Sequence, residues 1–144
     1  MLWRLLLGLF VCFLEIAIQG GVAVLIWRNV PALARWAAVK QKLWRSMLFV
    51  QVVLTTFMLI AMVQIALWAA VFMLCGQFAD FEEAFYHSAV NFTTLGYGDV
   101  VMPAPWRILG PIEALNGILL LGLSSATLFS VTTMLREARH KADL

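Results

Sequence analysis

Three apolar stretches, each too long to be an ordinary core helix, divide this chain. Leu5 to Trp27 carries one charge, Glu15; Met47 to Cys75 carries none; Ile108 to Leu135 carries one, Glu113. About 20 apolar residues at about 1.5 Å rise each are needed to cross a bilayer, so the pattern predicts three membrane-spanning helices. The second and third are long enough to tilt or to protrude into water. The segment between them has a different pattern. Asp80-Phe81-Glu82-Glu83 reads as a capping box, with Asp80 as N-cap and Glu83 three positions on. Phe81 to Thr93 contains neither Gly nor Pro and predicts a helix of three or so turns. That is too short to span. It is expected to enter the membrane and turn back, which is tolerated only where the backbone is shielded by protein or faces water.

Composition agrees with the pattern. The chain of 144 residues is 63% apolar and 12% charged, with a mean hydropathy of +0.92, against about 45–50% and about 25% for soluble domains. Apolar surface on this scale needs lipid as its solvent. The expected class is an all-α, multi-pass membrane protein with membrane lipids around it and no nucleic acid among its partners. A leader-like start, Arg4 followed by Leu5 to Leu14, lacks a small-residue cleavage site and is interrupted by Glu15, so it is read as part of the first span.

Charge sets the expected orientation. Arg28, Arg35, Lys40, Lys42 and Arg45 lie between the first two spans with no acid among them, and Arg136, Arg139 and Lys141 follow the third. The side that carries these basic residues is expected to be cytoplasmic. The stretch from Gly76 to Arg107 holds Asp80, Glu82, Glu83 and Asp99 against Arg107 alone and belongs outside, which puts the N-terminus outside and the C-terminus in the cytoplasm. The membrane expected is a plasma membrane of the bacterial inner-membrane kind. Trp3 and Trp27, about 36 Å apart along a helix, would anchor the first span at both interfaces. Pro31, Trp36, Leu43 and Trp44 among the basic residues allow an interfacial helix on anionic lipid, and positive-inside signalling explains the same charges. Cys12 and Cys75 make no disulfide framework; they read as packing residues, with a bridge between subunits at Cys75 as the other reading.

The candidate chemistry follows the short helix, in Thr93-Thr94-Leu95-Gly96-Tyr97-Gly98-Asp99. Gly96 and Gly98 adopt positive φ at little cost, so the chain can alternate its handedness residue by residue. Such alternation turns successive carbonyl oxygens to one side instead of pairing them in a ladder. Four copies around an axis would line a narrow tube with carbonyl rings that replace the water shell of a cation. The short helix would direct the negative end of its dipole toward the cavity beneath.

This segment resembles the signature of the potassium channel superfamily, and the order of outer helix, re-entrant helix, filter and inner helix resembles its two-helix pore module, over roughly Met47 to Leu135. The resemblance implies a pore domain over residues 47–135, with outer helix 47–75, pore helix 81–93, filter 94–98 and inner helix 108–135. Residues 1–46 form an extra span and basic linker, and 136–144 a short tail. It implies that Thr94, Leu95, Gly96 and Tyr97 hold dehydrated potassium, with Gly98 closing the filter outside. Tyr97 is expected to turn its ring from the pore toward Tyr86 and His87. Thr93 and Asp99 would support the filter, and potassium is the permeant ligand with no other cofactor. Leu95 stands where the family usually has Val or Ile. Val90 stands where some members place a glutamate, which leaves Asp99 without that partner. One filter strand per chain implies a homotetramer with three identical subunits.

The third span adds detail. Pro111 after Gly110 is expected at N1 of its helix, with Glu113 in the first turn near water. Gly117 and Gly122 resemble paired glycines at an inner-helix bend, and close packing of small residues is the other reading. Ser124, Ser125, Thr127, Ser130, Thr132 and Thr133 give a half-polar helix suited to a water-filled cavity. Glu15, mid-span and followed by Gln19, Gly20 and Gly21, is either a pH-sensing or docking group or a hydrogen-bonded packing residue. Gly20-Gly21 offers a place for a kink. No span has arginine at every third position, so a voltage-sensing ladder is not expected. His87 and His140 are far apart and no metal-ligand spacing occurs, so the chain is not expected to be an enzyme. A non-conducting accessory subunit and a weakly selective cation channel are the alternative functions.

Overall fold

The computed structural model describes residues 1–38 and 43–142 of the chain. It contains four α-helices: α1 (Leu2–Ala38), α2 (Leu43–Leu74), α3 (Phe81–Phe92) and α4 (Leu109–Ala142). Three of them, within Leu2–Ala32, Trp44–Leu74 and Leu109–Ala138, are long and apolar enough to cross a membrane. Their outer faces carry large apolar side chains such as Phe13, Met58 and Phe129, each more than two-thirds exposed. Surface of this kind is stable only against lipid or protein. The chain is an integral membrane protein.

The helix boundaries differ from the expected ones in instructive ways. α1 does not stop at Trp27 but runs through Arg28, Asn29 and Pro31 to Ala38. Pro31 removes one intrahelical bond. The stretch around it is otherwise rich in good helix formers, and the Asn29 amide donates to the Leu25 carbonyl at 2.8 Å. Gly20 and Gly21 interrupt nothing, since both lie inside the continuous helix. In lipid the helix is the only arrangement that satisfies their backbone groups. Lys40 and Lys42, with the side chains of Arg35, Trp36, Leu43, Arg139 and Lys141, lie outside the described residues. The interfacial reading of the basic linker rests on them.

Pro111 is the third residue of α4, not the first. All first-turn N–H groups lack an intrahelical partner, so a proline there removes no bond. Ahead of it, the Leu109 amide donates to the Trp106 carbonyl at 3.0 Å.

α1 and α4 run parallel and make the most extensive helix contact. Their hydrogen-bonded partners are offset by 101 and 105 residues, Glu15 with Asn116 and Gln19 with Ser124. Gly8 makes the approach possible: a Cβ there would sit 3.1–3.3 Å from Leu109 and Ile112 side chains. α2 returns antiparallel to both. One apolar cluster (Val11, Trp68, Phe72, Met102, Leu109) closes the end near α3, and another (Val30, Phe49, Phe57, Val131, Leu135) closes the opposite end. Between them Ile65, Phe92 and Leu120 pack α3 onto α2 and α4.

Candidate functional site

α3 is held at both ends by groups legible in its own sequence. The Asp80 carboxylate accepts the Glu82 and Glu83 amides at 2.9 and 3.2 Å, as an N-cap should. At the other end Thr93 caps the helix and its hydroxyl donates to the Ala89 carbonyl at 2.7 Å. The chain then leaves helical geometry. Thr94, Gly96 and Gly98 have φ of 60°, 62° and 73°, and Leu95 and Tyr97 do not share this sign. The alternation expected from the two glycines is present and begins one residue pair earlier. Thr94 is the sole non-glycine residue with positive φ among the described residues. A β-branched side chain disfavours that region, and the strain is of order 1–3 kcal/mol.

Backbone hydrogen bonds account for how this segment is held. The Thr94 amide donates to the Asn91 carbonyl at 2.8 Å, and those of Leu95 and Gly96 both donate to the Val90 carbonyl at 3.0 and 3.3 Å. The segment is therefore hung from the last turn of α3 by its N–H groups. Among the described residues no hydrogen bond ends on a carbonyl oxygen of residues 94–98. Val90 serves through its main chain, which no reading of its side chain would have shown.

The chain after Gly98 is strapped to α3. The Tyr86 hydroxyl donates to Asp99 Oδ2 at 2.6 Å, and Asp99 Oδ1 accepts the Val100 amide at 3.0 Å. The Tyr86 hydroxyl, foremost, holds the Asp99 carboxyl below the usual carboxylate range, and the same bond raises the Tyr86 phenol. His87 Nδ1 lies 2.9 Å from the Val100 carbonyl, and its Nε2 lies 3.0 Å from Asn91 Nδ2. A carbonyl can only accept, so Nδ1 carries the hydrogen, and Nε2 then accepts from the amide. Burial among Phe72 and Phe78 lowers the basicity of this ring. Asp99 thus has a partner in Tyr86. Within the chain Tyr97 stays 67% exposed, with the Tyr86 hydroxyl and the His87 ring engaged elsewhere.

Gly117 meets the end of α3. A Cβ at this position would overlap the Phe92 carbonyl, whereas Gly122 faces open space. α4 continues as one helix past both.

A second polar set lies in the interior. Glu15 Oε2 accepts from Trp68 Nε1 at 3.1 Å and from Asn116 Nδ2. Gln19 donates to Ser124 at 2.6 Å and accepts from Gln64 at 3.4 Å. Glu113 is bonded to Ser88 of α3, and Ser88 also to the Ile65 carbonyl. Glu113 is fully buried, not near water as its first-turn position suggested. Its carboxyl lies against Ser88 of α3, on the side of α4 that faces the other helices. Ser88, Gln64, Trp68 and Asn116 were not singled out in the sequence. A signal existed in helical spacing: Glu15 with Gln19, Gln64 with Trp68, and Glu113 with Asn116 each put two polar groups on one face of an apolar span.

Searches of curated proteins and of solved structures found no match. A family model described as ion channel matches residues 58–134, more than half of the chain, from the middle of α2 through α3 and its following segment to the end of the α4 span. Taken together with three membrane-spanning helices, this match means that the chain belongs to the ion channel family.

Proposed function

We propose that the chain is a subunit of a potassium-selective channel in which residues 94–98 of four copies form the selectivity filter. The observation that carries this reading is the positive φ at 94, 96 and 98 alternating with 95 and 97, together with carbonyl oxygens on 94–98 that no donor among the described residues occupies. Rings of such oxygens suit a dehydrated monovalent cation. Thr94, Leu95, Gly96 and Tyr97 would coordinate potassium, with Gly98 at the outer mouth and Thr93 and Asp99 bracing the ends. In this reading α3 is a re-entrant pore helix, α2 the outer helix and α4 the inner helix. The basic residues put the C-terminus in the cytoplasm and the N-terminus outside, in a plasma membrane. Three further identical subunits complete the ring, because a single strand encloses nothing.

The purified protein alone in liposomes tests the proposal. Rubidium uptake driven by a potassium gradient, blocked by barium and abolished in Gly96→Ala, is the expected result; a Cβ at Gly96 opposes its φ of 62°. Uptake absent from the protein alone but restored by a second pore chain would instead make it an accessory subunit. Equal uptake of sodium would make it a weakly selective cation channel.

A further inference from the structure

Ser88 has one hydroxyl hydrogen and two oxygen neighbours. Its Oγ lies 2.8 Å from the Ile65 carbonyl oxygen of α2 and is also bonded to Glu113 Oε1 of α4. Ser88 and Glu113 are completely buried and Ile65 nearly so, so water cannot mediate either contact. A main-chain carbonyl has no hydrogen to give, and the Ser88 hydrogen is therefore the one in the Ile65 bond. The contact with Glu113 then needs a second hydrogen, and only the carboxyl can supply it. An ionised Glu113 would leave one of two short oxygen–oxygen contacts without any hydrogen, in a site where an unmade bond carries the full cost of desolvation.

We propose that Glu113 is a proton-binding residue, held as a neutral carboxylic acid that donates from Oε1 to Ser88 Oγ and so fixes α3 to α2 and α4 through one hydroxyl. The other carboxyl oxygen, Oε2, is buried with no hydrogen-bond partner. That is tolerable for the carbonyl oxygen of a neutral acid and far more costly for half of a carboxylate. Glu15, on the same seam, also leaves one oxygen, Oε1, buried without a partner, but its Oε2 receives two N–H donors, from Trp68 and Asn116. At Glu113 the bonded oxygen instead faces a hydroxyl whose one hydrogen is already placed on the Ile65 carbonyl.

The other titratable groups around Glu113 are Glu15 and Cys12 on α1 and His87 on α3, beside the uncharged Asn91. α2 brings the Ile65 carbonyl and the Trp68 indole. No lysine or arginine is among these groups, and only hydrogen bonding from Ser88 and Asn91 acts in favour of an ionised Glu113. If the proton is removed, the carboxylate draws the Ser88 hydrogen to itself, because charge-assisted bonds are the stronger ones. The Ile65 carbonyl then loses its bond to Ser88, and with it the side-chain hydrogen bond that ties α3 to α2 at this point. Glu113 is thus a positioning residue that acts on α3 through Ser88.

The count of hydrogens is the same whatever ion the protein conducts, so its test needs no flux. Infrared difference spectra of the full chain in liposomes at neutral pH would compare wild type with Glu113→Gln, which keeps an N–H donor for Ser88. A carboxylic-acid C=O band lost in Glu113→Gln, kept in Glu15→Gln and moved to higher wavenumber in Ser88→Ala is the expected result. A difference spectrum showing only carboxylate bands, or loss of the acid band in Glu15→Gln instead, overturns the proposal. Thermal unfolding gives a second reading. The midpoint should be retained in Glu113→Gln and lowered in Glu113→Ala, and an equal drop in both would also overturn it.

Discussion

The segment after α3 and the buried seam between α1, α2 and α4 handle polar groups in opposite ways. In the segment, N–H groups are spent on the last turn of α3 and the carbonyl oxygens of residues 94–98 accept nothing from the described residues. In the seam, Glu15 pairs with Trp68 and Asn116, and Gln19 with Gln64 and Ser124. One region keeps main-chain acceptors unfilled at a cost in backbone strain; the other spends its side-chain donors on bonds between helices that hold three of them in register, although Glu15 Oε1, Glu113 Oε2 and Asn116 Oδ1 stay without a partner. Unfilled main-chain acceptors are what a permeating cation requires, and bonds between helices are what a scaffold in lipid requires. The family match spans α2, α3 and α4 but not α1, so the seam is where an additional helix has been bonded to a pore-type core.

The comparison can be broken from either side. The largest effect is expected in the seam. Glu15→Ala leaves the Trp68 and Asn116 donors buried without an acceptor, and at about 1–3 kcal/mol for each unmet group the loss should be about 3 kcal/mol in detergent unfolding. Glu15→Gln should recover part of it. A neutral outcome for Glu15→Ala would mean that the α1 contact is apolar packing alone.

Gly117→Ala acts where the two regions meet, since its Cβ overlaps the Phe92 carbonyl at the end of α3. A loss of about 2 kcal/mol is expected from overpacking, accompanied by altered ion flux because α3 must shift. Gly122→Ala, with open space around it, should leave both stability and flux near wild type. Equal effects of the two substitutions would favour a shared bending role over the close approach at Gly117. Asp80→Ala removes the N-cap of α3 and should cost about 1 kcal/mol, read as a lower unfolding midpoint.

The smallest effect concerns Tyr86 and Asp99. The Asp99 carboxyl is held low in the folded state by the Tyr86 hydroxyl. Its contribution is thus present above the ordinary carboxylate range and is lost as pH falls through the lowered folded value. In Tyr86→Phe the carboxyl should take up its proton at a higher pH. The acid limb of a flux or stability profile would move upward, with the neutral-pH values little changed. An unmoved acid limb would show that this exposed bond does not govern the titration.

Legibility in the sequence divides along the same line. Helix α3, its Asp80 cap and the alternation at Gly96 and Gly98 could be read directly, because each is decided by neighbours within a few residues. The seam could not be paired in advance. Glu15 and Gln19 were visible as polar residues in an apolar span, but their partners Asn116 and Ser124 lie 101 and 105 residues away. Glu113 was misplaced for the same reason: its own helix puts it in a first turn, and its burial comes from distant elements such as α3, whose Ser88 lies 25 residues earlier. The end of α1 was drawn too early because charge and Pro31 suggested a loop, while Ala, Leu and Trp on both sides continued the helix. Positive φ at Thr94 had no signature, since a β-branched residue is a poor candidate for that region and is held there by the Asn91 carbonyl.

The reversal potential of the reconstituted protein under bi-ionic conditions, with potassium on one side of the bilayer and sodium on the other, tests the carbonyl-lined pathway most directly. The account predicts a potential close to the potassium limit and its collapse toward zero in Gly96→Ala. A value near zero for the unaltered protein, with current still flowing, would contradict it.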